Sequence, residues 1–420
     1  MAKNIGIDHH DMRYEVIFMK KVVITGIGAV TSIGYTAEDY WNGLISGKCG
    51  MRTITRIPLD KHDTTVAAEV DEAFEAEAGK YWKKRQLNAT TTTTRMGLAS
   101  AGEAIADCGV DITTYNGKKV GVIYGVIDNS FEDYELDKPL NITLKKMPNE
   151  LPALVSIKYG FTGPAFNVST ACASSAYAMA LGKQFIESGL CDMVVAGGIS
   201  NTVTHLVISG FNQLLAMSVN TDPATAARPF TKNRDGFIMG EGGGTVILES
   251  EESAKARGAK IYCELAGAAM CGEAYNLTAP KTDGVGMAES MRLALDNAGI
   301  SPDAVDYINA HGTSTGLNDL YETKAIKEVF GERAYDIPVS SVKASIGHTL
   351  GAGGALEAIA CIKAMETGIV PPTLHYDEPD PELDLNYVPN KPQEHKVDVA
   401  ISNSFGFGGH NATLVFKKYN

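Results

Sequence analysis

The sequence lacks any CxxC pair: its seven cysteines, Cys49, Cys108, Cys172, Cys191, Cys263, Cys271 and Cys361, are scattered singly. That spacing excludes a disulfide framework and a cysteine-based zinc site, and it reads as reduced thiols in the cytoplasm. Long apolar runs able to cross a bilayer are missing too, as is a basic, apolar and small-residue leader, so no membrane insertion is expected. Basic charge is short. With 37 Lys and Arg against 50 Asp and Glu, the net charge of −13 disfavours nucleic acid, because binding phosphates needs a basic face. An acidic partner must find a local patch, and the densest one holds Lys80, Lys83, Lys84 and Arg85; taken alone it reads equally well as a solvated helix face.

What is present suits a folded protein with more than one core: 420 residues, 44% apolar and 21% charged. Residues 1–18 show no periodicity and are expected to form an N-terminal extension outside the fold, with Met19 a candidate natural start. Strands are predicted near 21–26, 120–125, 164–170, 193–197 and 243–249, with helices near 36–46, 95–107 and 173–188. The alternation predicts an α/β fold. A second series follows, with strands near 261–268, 305–310, 338–342, 397–402 and 411–417 and helices near 285–298, 318–329 and 350–366. It repeats the first, so residues 19–259 and 260–420 are expected to form duplicated halves packed about an approximate two-fold axis.

Cys172 lies in Ser169-Thr170-Ala171-Cys172-Ala173-Ser174-Ser175, where a strand should pass into a buried helix. A free thiol titrates at ~8.5, and a helix N-terminus lowers that by presenting amides to the anion. Cys172 is therefore expected to be a stabilised thiolate, whereas Cys108, Cys191, Cys263, Cys271 and Cys361 read as small core residues. His311, before Gly312-Thr313-Ser314-Thr315, and His348, after Lys343-Ala344-Ser345-Ile346-Gly347, both follow strand ends, where α/β folds gather their active sites. His62, His205, His375 and His395 read as structural or surface residues. Asn403-Ser404-Phe405-Gly406-Phe407-Gly408-Gly409-His410-Asn411 sets aromatic rings among glycines, in the manner of a movable gate.

These segments, with Arg228-Pro229-Phe230 through Gly236-Phe237, resemble the β-ketoacyl-acyl-carrier-protein synthases of the thiolase superfamily, specifically the stand-alone elongating type II enzymes, from about Lys20 to the C-terminus. The resemblance implies a thiolase-like α/β fold whose two halves form a five-layered α-β-α-β-α body. It implies a decarboxylating Claisen condensation. An acyl group moves from carrier-protein phosphopantetheine to Cys172, and malonyl-carrier protein then supplies a two-carbon nucleophile. His311 and His348 would donate to the malonyl thioester carbonyl, the amides of Cys172 and Phe407 would form an oxyanion hole, and Lys343 with Glu322 would organise the site, Lys343 as electrostatic support. Thr313 and Thr315 would bind pantetheine amides, Phe407 would be the gate, and Phe211 and Asp128 would line the acyl pocket. Lys83, Lys84 and Arg85 would join the docking patch for an acidic acyl carrier protein. Neither metal nor soluble cofactor is implied, and the expected assembly is a homodimer, or a heterodimer with a chain-length factor.

The run Gly125-Val126-Ile127-Asp128-Asn129-Ser130 departs from the family's glycine-rich pattern. A carboxylate beside a saturated chain is unfavourable unless paired or protonated. Either Asp128 faces solvent, or the acyl group is short, unsaturated or polar, as in specialised polyketide or polyene pathways; the reading preferred is fatty-acid elongation. Retention of Cys172, His311 and His348 argues against a non-catalytic chain-length subunit. The absence of a C-terminal cysteine argues against a thiolase, and His348 stands where an initiating synthase carries asparagine.

Overall fold

A computed structural model describes residues 19–127, 144–145 and 147–420. The extension at 1–18 and Asp128 lie outside the described residues. Ten strands carry the fold: β1 Val22–Thr31, β2 Val120–Val126, β3 Ala165–Val168, β4 Met193–Ser200, β5 Gly242–Ser250, β6 Cys263–Gly272, β7 Tyr307–Asn309, β8 Val339–Ser340, β9 Val399–Gly406 and β10 His410–Lys418. The first five lie in the order β3-β2-β4-β5-β1 and the second five in the order β8-β7-β9-β10-β6, the same arrangement twice. Orientation repeats as well. β2 runs parallel to β3 and β4 while β5 is antiparallel to β4 and β1, and β7, β8, β9, β10 and β6 reproduce each relation. The two sheets meet through a short antiparallel contact, Val23 opposite Glu264 and Ile24 opposite Cys263.

Five helices complete the layers: α1 Thr92–Asp107, α2 Ser174–Glu187, α3 Val285–Ala298, α4 Gly316–Phe330 and α5 Gly353–Thr367. α2 and α5 pack on each other between the sheets, α1 covers β1 and β5 from outside, and α3 covers β6 and β10 with α4 beside it. The result is a five-layered α-β-α-β-α body. Every residue of α5 from Gly353 to Met365 is buried, as a helix enclosed by two sheets requires. Small residues make that central contact possible. A Cβ on Gly354 would sit 2.9 Å from the backbone nitrogen of Ala176 on α2, and the Ser175 hydroxyl accepts the Ala355 amide at 3.0 Å.

The Thr90–Thr94 tract starts α1 a turn earlier than the helix predicted from 95. Thr91 caps it by accepting the Thr94 amide at 3.1 Å, and Thr94 in turn donates to Glu150 at 2.6 Å. Capping thus gives the tract a structural role. Among the described residues, no helix is long and apolar enough to cross a membrane.

Candidate active site

The duplicated plan places two of the three chemical groups at matching points. Cys172 stands between β3 and α2, and His348 between β8 and α5, so one repeat supplies the thiol where the other supplies an imidazole. His311 follows β7, the strand beside β8. Ala171, just before the thiol, adopts a left-handed backbone (φ 49°), which turns the chain sharply out of the strand. The Ser174 hydroxyl holds that turn, accepting the Thr170 amide at 2.9 Å and donating to the Ala171 carbonyl at 2.6 Å. Gly406 lets the β9–β10 turn close over it: a Cβ there would lie 3.2 Å from the Cys172 nitrogen and 2.8 Å from the Thr170 carbonyl.

Cys172, His311 and His348 are all buried, with their thiol and ring donor atoms within 4.8 Å of one another. They line a cavity of about 390 Å³ together with Thr313, Thr315 and Phe407. The imidazoles meet edge to face, 5.4 Å between centroids. His348 is fixed through its backbone, donating to the Ile238 carbonyl at 2.7 Å and accepting the Gly240 amide at 2.9 Å. The Lys343 ammonium lies 3.4 Å from His311 Nδ1 and donates to the His311 carbonyl at 2.6 Å. Because an ammonium only donates, Nδ1 must accept, which leaves the His311 proton on Nε2.

Lys343 and Glu322, expected as an organising pair, are not partners. Lys343 is ion-paired with Glu357 on α5, and Ser404 also approaches that carboxylate at 3.5 Å. Glu322 accepts the amides of His311 and Gly312, each at 2.8 Å, and the Asn403 side chain at 3.2 Å. Both side chains therefore grip the His311 backbone from different sides. Glu357 went unnoticed in the sequence, although a lone carboxylate inside Gly-Gly-Ala-Leu-Glu-Ala-Ile-Ala signals a buried partner.

Burial sets the protonation states. It pushes the Cys172 thiol up to about 11, outweighing the nearby Lys343 charge and the amides of Phe407 and Cys172, all of which favour the anion. The expected resting thiolate is thus corrected: α2 begins at Ser174, and its N-terminus does not overcome desolvation. Burial first, then the Lys343 charge, drives His311 and His348 well below the ordinary imidazole value, so both are neutral near pH 7. Glu322 is raised to about 7, again chiefly by burial. Since only the thiolate reacts, alkylation of Cys172 by iodoacetamide in the resting protein should rise about tenfold per pH unit from pH 7 to 9. A rate that levels off below pH 8 would contradict this assignment.

Thr313 and Thr315 share a hydrogen bond at 2.9 Å on the cavity wall. Phe407 and Phe211 are tilted rings 6.2 Å apart, and Phe211 meets Phe237, which itself packs edge-on to His348. A ring relay thus links the turn to the imidazole. Lys83, Lys84 and Arg85 are exposed at the short helix preceding α1. Cys172, His311 and His348 are also the one group of Cys, His and acidic donors among the described residues close enough to suggest a metal site. The Lys343 ammonium beside His311 opposes a dication there.

The sequence matches the model of the β-ketoacyl synthase N-terminal domain over residues 19–254 and that of the C-terminal domain over residues 262–377. The chain belongs to the β-ketoacyl synthase family. A 3-oxoacyl-[acyl-carrier-protein] synthase 2 from Synechocystis sp. is 41% identical, with 95% of this chain and 98% of that protein covered. A Staphylococcus aureus protein of the same name is also 41% identical, over 95% and 99%. Among solved structures, a type II PKS acyl-carrier protein in complex with its ketosynthase superposes with a TM-score of 0.86 at 31% identity, covering 96% of this chain and all of that one. The ishigamide ketosynthase/chain length factor gives 0.86 at 33%, and a β-ketoacyl synthase from Burkholderia phymatum 0.86 at 32%, both with the same coverage.

Proposed function

We propose that this β-ketoacyl synthase is a 3-oxoacyl-[acyl-carrier-protein] synthase of fatty-acid elongation. The convergence of Cys172, His311 and His348 within 4.8 Å, from both repeats, carries that reading. Similarity to the two curated synthases at 41% identity supports fatty-acid substrates over specialised ones.

In the first half-reaction the Cys172 thiol loses its proton and attacks the acyl thioester, and pantetheine leaves as a thiol carrying a proton. The amides of Cys172 and Phe407 hold the tetrahedral oxyanion. In the second, malonyl-carrier protein enters and its carboxylate leaves as carbon dioxide. The electron pair collects as an enolate, whose oxygen takes hydrogen bonds from His311 and His348. The enolate carbon attacks the acyl carbonyl, the C–S bond to Cys172 breaks, and the sulfur takes a proton. Neutral imidazoles suit this step, because they donate without holding the substrate carboxylate in a tight ion pair.

Lys343, Glu357 and Glu322 position His311, while Thr313 and Thr315 bind pantetheine amides. Phe211 and Phe407 border the acyl group, Phe407 moving once the thiol is acylated, and Lys83, Lys84 and Arg85 contribute to docking of acyl carrier protein. The sequence of steps uses no metal or soluble cofactor, and its substrates arrive on phosphopantetheine. The assembly is a cytoplasmic homodimer; native mass spectrometry with the products of neighbouring genes would reveal a chain-length-factor heterodimer instead. Incubation with a panel of acyl-carrier proteins, followed by intact-mass measurement, tests the pathway. Saturated linear acyl groups should load on Cys172, and exclusive loading of polar or polyene chains would shift the assignment to a specialised ketosynthase.

A further inference from the structure

Behind the catalytic cavity a line of polar side chains crosses a core that is otherwise apolar. Asn403 on β9 and Thr413 on β10 are register partners, Ser290 belongs to α3, which covers β10, and all three are fully buried. Ala269 lies opposite Thr413 on β6, and the Met291 sulfur sits 3.5 Å from the Asn403 side-chain nitrogen. A hydroxyl buried in such surroundings is unfavourable unless it is hydrogen-bonded. Both hydroxyls are. Ser290 and Thr413 meet at 3.0 Å, Thr413 donates to the Asn403 side-chain oxygen at 3.0 Å, and the Asn403 nitrogen donates to Glu322 at 3.2 Å.

One end of the line fixes the direction of every proton in it. The Glu322 carboxylate can only accept, and it already holds the amides of His311 and Gly312 at 2.8 Å each, so the Asn403 nitrogen must face it and the Asn403 oxygen must face Thr413. A hydroxyl has one proton. Thr413 gives its own to Asn403, and the bond between Thr413 and Ser290 therefore runs from Ser290. Burial keeps the Cys271 thiol protonated beside Ser290, which leaves that direction unopposed. Turned over, the Asn403 amide would set its oxygen against a carboxylate in a dry core, a repulsive contact.

We infer that Thr413, backed by Ser290, is a positioning residue for the condensation: its hydroxyl locks the Asn403 amide with the donor end toward Glu322, and so keeps that carboxylate gripping the backbone of His311. The inference rests on the proposed synthase function. None of Ser290, Thr413, Asn403 and Glu322 lines the cavity, so the line acts through His311. What the grip needs is charge, because a protonated carboxyl accepts hydrogen bonds more weakly than a carboxylate. Burial and Asp319, one turn earlier on α4, oppose that charge, whereas the amides of Gly312 and His311 and the Asn403 side chain favour it. The Asn318 side chain lies 3.5 Å away, and Arg234 lies 4.0 Å from Asp319. Of the other groups around this loop, the His311 ring is neutral, the Tyr387 phenol stays protonated, and Lys343 is paired with Glu357. With Glu322 raised to about 7, the balance is close at neutral pH.

Thr413→Val and Thr413→Ser separate the hydroxyl from the bulk of the side chain. For each, carbon dioxide release from malonyl-carrier protein and acylation of Cys172 by an acyl-carrier protein are followed from pH 6.5 to 8.5. Without its Asn403 donor Glu322 holds a proton to higher pH, so release by the valine variant should fall about fivefold at pH 7 and less than about twofold at pH 8.5. Its acylation of Cys172 should change less than about twofold at either pH, and the serine variant should match the wild type in both reactions. A deficit of equal size at pH 7 and pH 8.5 would make the hydroxyl a packing group and overturn the inference. Unchanged release would overturn it too, as would a loss that serine does not restore. Should valine prevent folding, Thr413→Ala makes the same test with the same two readings. If wild-type protein releases no carbon dioxide from malonyl-carrier protein, the proposed function itself is wrong, an outcome visible before any variant is made.

Discussion

Cys172→Ala is expected to yield a folded protein that carries no acyl group and turns over at least about 10⁴-fold more slowly. The cavity explains the size of the effect. Cys172 is the one cysteine among the described residues that lines it, so no other thiol meets the acyl group there. Removing one sulfur from a side chain 8% exposed leaves the Ala171 turn and its Ser174 hydrogen bonds in place. Intact mass after incubation with labelled acyl-carrier protein is the readout. Covalent label on the alanine variant would assign the nucleophile elsewhere.

His311→Ala and His348→Ala are expected to keep acylation of Cys172 while losing about 10²–10³-fold in carbon dioxide release from malonyl-carrier protein. Enolate charge develops only as the carboxylate departs, so a preorganised donor in a dry site acts on that barrier, at ~3–4 kcal/mol each. The two variants should differ in their side effects. His311 is the end of a chain running through Lys343 to Glu357 and through its own amide to Glu322, so its loss leaves the Lys343 ammonium without the Nδ1 contact. His348 is held by its backbone against residues 238–240, and its removal disturbs less. Because both rings are neutral to well below pH 6.5, imidazole protonation should not lower wild-type decarboxylation between pH 8 and 6.5, and any change within that window should follow Glu322, raised to about 7, and disappear in Glu322→Gln. Normal carbon dioxide release by either variant would remove that histidine from the mechanism.

Much of this site was legible because strand ends carrying chemistry are punctuated by small residues. Thr170-Ala171-Cys172 and Gly347-His348 each sit where an apolar run hands over to a helix, and the duplicated plan made their equivalence readable. Partnerships across the fold were not. Nothing in the spacing of Lys343, Glu322 and Glu357 says which carboxylate meets the ammonium, because the answer depends on α5 crossing behind β7. The protonation of Cys172 failed for a related reason: a helix start is visible in the string, whereas the burial that outweighs it is set by the packing of distant segments around the thiol. The Thr90–Thr94 tract, opaque as a string, became a capped helix start once Glu150 was seen to meet Thr94. Thr413 carried no signal at all, since threonine is common in strands and its partner is set by the register of β9 on β10.

A single-turnover chase gives the decisive test of carbon–carbon bond formation in this cavity. Protein preloaded on Cys172 with an isotope-labelled acyl group, freed of donor and mixed with malonyl-carrier protein, should return to its unmodified mass. The label should move to a carrier-bound chain two carbons longer, with one carbon dioxide released for each. Label that stays on the protein, or leaves it as a free carboxylic acid, would contradict a condensing role for Cys172, His311 and His348.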